Sequence, residues 1–213
     1  NGQAWLTRAT VLTVQGDYTK ATAACARLSA LAAQLVTVTC LANVASVTGR
    51  AAGSERLLDL TVQRSAGAAP ELESWAQTLL AEMATRRGET ALAEARYKAA
   101  LARQPRDSYL LGAYADFLLD QQRPQEVVEL LQAQQRIDAL LLRHALALQA
   151  LPARTAAFQA EKTELAARFT AAMQRGDTVH QREQARFALF LQQDIPAAVQ
   201  LAQQNWAIQK EVP

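Results

Sequence analysis

Only two histidines and two cysteines occur among the 213 residues, and no GxSxG, HExxH, CxxC or Walker A pattern accompanies them. A hydrolase needs a nucleophile beside a base, and a metalloenzyme needs several ligands at workable spacing. His144 and His180 stand far apart, so no catalytic, metal-binding or cofactor-binding residue is expected. Glycine and proline are also scarce, at eight and six, whereas the helix formers Ala, Leu, Gln, Glu and Arg dominate, which points to a nearly all-helical chain. A basic stripe is missing too. The net charge is +2 and the densest basic cluster is the pair Arg86 and Arg87, which argues against nucleic-acid binding. Between Arg27 and Arg50 lie 22 residues without charge. Ser29, Gln34, Asn43 and Ser46 interrupt them, so a buried helix pair is expected there and not a membrane span.

What the chain does contain is a repeat. From Ser74 to Pro105 a helix ending at Arg86 and Arg87 meets the turn Gly88-Glu89. A second helix follows, with small Ala93 and Ala100 around Tyr97, and Pro105 closes the unit. Some 34 residues on, Leu111, Tyr114, Ala115 and Leu118 repeat the apolar face of the first helix, and Pro124 opens the second, where its missing N–H costs little. At the front, Trp5, Ala9, Leu12, Gly16-Asp17-Tyr18, Ala21 and Cys25 fall in the same order; Leu41, Ala42, Gly49, Leu58 and Thr61 form a weaker copy. An ordinary helical bundle shares the amphipathic spacing, but not the small, large and turn residues ordered at one period.

The order of Ala81, Ala93, Tyr97, Ala100 and Pro105 resembles the tetratricopeptide repeat (TPR) family, in which two small residues let the paired helix axes approach. That resemblance implies an all-α fold, a right-handed superhelical solenoid of antiparallel helix pairs forming one array over residues 1–213. The expected units are 4–33, 35–66, 71–105 and 108–137, a divergent stretch at 138–177, and a recovered unit at 178–210. Abrupt ends, with Trp206, Ile208 and Val212 left apolar, lead us to expect further repeats in a longer chain.

In such an array the first helices line the concave face, so function is expected from their exposed stripe. Alignment with the family places Thr39, Asn43, Trp75, Thr78, Glu82, Arg86, Tyr109, Asp116 and Asp120 on it. The expected role is a non-catalytic scaffold for a protein or peptide partner, self-association included; the alternative is an accessory region of a larger enzyme or secretion assembly. Trp75 and Tyr109 serve either as partner anchors or as core. The lysine, asparagine and arginine clamp of chaperone-binding relatives is absent, only Asn43 matching. Cys25 and Cys40 are equidistant from the turn near Ala32 and Ala33, which brings them level across a helix hairpin. They form either a disulfide or a pair of small buried hydrophobes. Arg outnumbers Lys 18 to 4, which resembles proteins of bacteria with GC-rich genomes. Together with the cysteine pair this favours a periplasmic or secreted location, the cytoplasm being the alternative.

Overall fold

The structure, a computed structural model, describes residues 1–210; Val212 therefore lies outside the described residues. Among them there are helices and no strands. The twelve are α1 (Gly2–Val14), α2 (Tyr18–Ala26), α3 (Gln34–Ser46), α4 (Ala51–Arg64), α5 (Pro70–Arg86), α6 (Thr90–Arg103), α7 (Ser108–Asp120), α8 (Pro124–Leu131), α9 (Asp138–Gln149), α10 (Thr155–Gln174), α11 (Gln181–Arg186) and α12 (Ile195–Ile208).

One local device recurs at the helix ends. Gly16, Gly49, Gly88 and Gln122 all have positive φ, at 77°, 79°, 74° and 56°. The residue after each donates its N–H five residues back, Asp17 to Leu12, Arg50 to Ala45, Glu89 to Ala84 and Arg123 to Leu118, at 2.9–3.1 Å. This left-handed closure satisfies carbonyls that the helix leaves open, and glycine is its natural occupant. Gln122 adopts it without being glycine. Gly176 ends α10 in the same way, with Asp177 donating to Ala172. In α11 the pattern gains a residue: Phe187–Gln192 is a π-helical turn, Gln193 takes φ 60°, and Asp194 donates six residues back to Ala188.

The described residues divide into two compact units, the first Asn1–Leu110 together with Gln209 and Lys210, the second Leu111–Ile208. The division falls inside α7, although the repeat in the sequence runs on past it. In the first unit α1 pairs with α2, α3 with α4 and α5 with α6, while α3 also packs on α2 and α5. That position explains the uncharged run. Eight of the thirteen α3 residues are buried, among them Leu35, Val38, Cys40, Ala42 and Val44, so a charge there would have no water and no partner. The small residues of the best repeat lie in the core as expected: Ala81, Ala93 and Ala100 are fully buried beside Tyr97. Lys210 donates its N–H to the Val14 carbonyl at 2.6 Å.

In the second unit α9 packs against α8, α10 and α11, and α11 against α12. Leu141, Leu142, Ala145, Leu165, Phe169, Phe187 and Leu191 form its core, with Phe169 edge-on to Phe187 at 5.3 Å. The stretch that departs from the repeat therefore still contributes to one core.

Candidate partner-binding surface

Each hydroxyl of α3 and α5 that was expected to face a partner has a nearer acceptor in its own helix. Thr39 is fully buried and donates to the Leu35 carbonyl at 2.7 Å; Thr78, 3% exposed, donates to the Ser74 carbonyl at 2.8 Å. The expectation that these two threonines meet a partner is thus corrected: they lie in the core, where a back-bonded threonine behaves as a small apolar side chain. Trp75 is half-buried and packs against the cluster around Cys25, Cys40 and Val44.

The remaining stripe of the first unit is exposed or half-buried. Arg86 reaches from α5 to the Ser46 hydroxyl at the end of α3, at 3.1 Å. One turn before it, Glu82 accepts from the Tyr109 hydroxyl at 2.6 Å. Tyr109 is 65% exposed, and Asn43 is half-buried one turn before Ser46. Two inter-helix hydrogen bonds thus fix a tyrosine, a carboxylate and a guanidinium along one helix face.

Asp116 and Asp120 belong to the second unit and behave differently from each other. Arg143, only 4% exposed, donates to the Gly112 and Ala139 carbonyls and, at 2.6 Å, to Asp116; Arg186 of α11 adds a bond of 2.8 Å to the other Asp116 oxygen. Burial alone would raise the Asp116 carboxyl, but the two guanidinium groups outweigh it and hold it below the usual range. Asp120 is pushed up, first by burial and then by Asp116, against the opposing pull of Arg186. Asp116 is therefore a bridge joining α7, α9 and α11, not a free contact for a partner.

The two shifts have opposite consequences. Stability from Asp116 is present above its unfolded pKa and lost as pH falls through the lower folded one. For Asp120, folding favours the protonated form, so its ionisation destabilises as pH rises through the folded value. It is also a negative charge on the last residue of a helix. Asp120→Asn is expected to stabilise the protein slightly at neutral pH, by no more than about 0.5 kcal/mol, seen as a small rise in melting temperature. The gain should vanish in acid below the usual aspartate range, and a gain that persists there would contradict this cause.

Arg143 and Arg186 were not singled out in the sequence, although an arginine amid the leucines of α9 was a signal that a carboxylate faces it. A second missed cluster joins Glu55 of α4 to Arg96 at 2.7 Å and to Arg87, with Arg96 also donating to the Leu80 carbonyl at 3.0 Å. His144 is buried with Nδ1 2.9 Å from Glu161; His180 is half-buried just before α11.

Cys25 and Cys40 are joined in a disulfide with Cα atoms 5.6 Å apart, tying α2 to α3. No helix among the described residues is long and apolar enough to cross a membrane. Compared with known proteins, the chain matches no protein-family model, no curated protein and no solved structure.

Proposed function

We propose that this chain is a non-catalytic scaffold of the TPR type, which holds an extended peptide or protein segment against the first helices of its hairpins. The observation that carries this is the held stripe of Tyr109, Glu82 and Arg86. Tyr109 is 65% exposed, yet its hydroxyl is fixed on Glu82, so its ring is presented at little further entropic cost. Tyrosine and arginine are the residues that dominate peptide hot spots. The recurring left-handed turns and the packing of α3 on both neighbouring hairpins support the superhelical array that such a surface requires. The disulfide favours an oxidising compartment, the periplasm or the exterior.

Peptides selected from a random display library on the unaltered protein provide the test. Tyr109→Ala should weaken the selected peptides by about tenfold or more, a typical loss at a hot spot. Its thermal melt should stay within about 2 °C, since an exposed ring carries little stability. Arg86→Ala should weaken them as well. Peptides that bind both variants as tightly as the parent protein would remove this stripe from consideration. An enzyme's accessory region would instead yield peptides that compete only with another domain of the same chain.

A further inference from the structure

Charge is unevenly placed along the chain. Residues 1–49 hold only Arg8, Asp17, Lys20 and Arg27, three cations and one anion, so they carry the whole net charge of +2 and leave the rest of the chain balanced. The three cations converge. Arg8 of α1, Lys20 of α2 and Arg27 line one open groove of about 180 Å3 with Trp5, Ala23 and Ala24. Both guanidinium groups lie over the Trp5 ring, at 5.4 and 5.9 Å from its centroid. Lys20 is matched by Asp17 at 2.7 Å. The Arg8 and Arg27 side chains have no ion pair and no hydrogen bond to a described residue, unlike those of Arg87, Arg96, Arg143, Arg168 and Arg186, which all meet carboxylates.

Two unmatched like charges on one indole repel each other, and what favours their proximity is the ring below and an anion between them. A guanidinium held near the ring by cation–π attraction keeps its N–H groups for a carboxylate, which arginine binds in a two-pronged fork. Ala23 and Ala24 add an apolar floor for the methylenes of a glutamate. The groove is smaller than the roughly 300–1,000 Å3 clefts that enclose cofactors, and is of a size for side chains. We propose that this α1–α2 groove is a second recognition site, which takes the carboxylates of an acidic peptide segment of a partner protein. It shares no residue with the stripe around Tyr109, so its test and that of the stripe stand or fall separately.

The test uses a fluorescein-labelled hexaglutamate peptide, followed by anisotropy at low and at physiological ionic strength. The unaltered protein should bind it, more weakly as salt rises, and should not bind the hexaglutamine peptide with the same label. Arg8→Gln combined with Arg27→Gln should weaken binding by about tenfold or more. Arg50→Gln combined with Arg64→Gln removes the same charge elsewhere and should leave binding unchanged. Circular dichroism melts identify any variant that misfolds, and Arg8→Lys with Arg27→Lys, which keeps the charge but loses the fork, should fall between parent and glutamine variant. Absence of hexaglutamate binding, equal binding of hexaglutamine, or equal loss in the Arg50 and Arg64 variant would each overturn the proposal. A phosphoserine peptide that binds where hexaglutamate fails would overturn it in favour of phosphate recognition.

Discussion

Glu55→Ala is expected to destabilise the first unit by about 3 kcal/mol, the low end of the usual cost of stranding one member of a buried ion pair. The Glu55 side chain is 6% exposed and that of Arg96 12%, so water replaces the lost contact only in part. Arg87, a third exposed and also paired with Glu89, suffers less. Arg96 would keep the Leu80 carbonyl and a longer ion pair, at 3.4 Å, to the more exposed Asp59. Denaturant titration of the single variant measures the loss. Glu55→Leu combined with Arg96→Met, which removes both charges and retains the volume, should recover most of it. A loss below about 1 kcal/mol for Glu55→Ala would mean that the cluster is solvated and contributes as a surface pair does.

Reducing the disulfide is the second large perturbation. It closes a loop with a sequence separation of 15, for which the entropic account gives about 3 kcal/mol. Reductant, or Cys25→Ala with Cys40→Ala, should lower stability by that amount, and reductant should have no effect on the double variant. Alkylation should label no cysteine in the folded, non-reduced protein, since both cysteines of the chain are in the bridge. Because Cys40 and Trp75 share one cluster, the tryptophan fluorescence of the reduced protein should change with the loss of stability.

The helix pairs were legible because most of their turns announce themselves. Gly16, Gly49 and Gly88 mark left-handed closures, and Pro70 and Pro124 occupy first turns. Gln122 makes the same closure and Gln193 a version one residue longer, neither with a glycine to signal it, and the extra residue of the π-helical turn leaves no trace in apolar spacing. The disulfide could be placed level across its hairpin by counting from the turn, though counting alone did not separate a bridge from two packed thiols. Thr39 and Thr78 were misplaced because alignment assigns them a face, whereas their environment depends on how closely α3 and α5 pack. Asp116 was found as a residue but not as a bridge, since Arg143 and Arg186 lie 27 and 70 positions away. Pairings at that separation depend on packing between hairpins and are invisible to local pattern.

Helix α3 has a further consequence, for the chain before it folds. Its residues Leu35–Cys40 read Leu-Val-Thr-Val-Thr-Cys, β-branched, apolar and without charge, a composition that favours strand pairing once water and neighbouring chains can reach it. Only burial among α1, α2, α4 and α5 holds it in a helix. Nascent or partly unfolded copies therefore present an aggregation-prone segment with no lysine or proline to guard it. The bond to Cys25 keeps that segment beside α2 when the rest of its packing is lost, which makes oxidation a safeguard for folding as well as a staple for the finished protein.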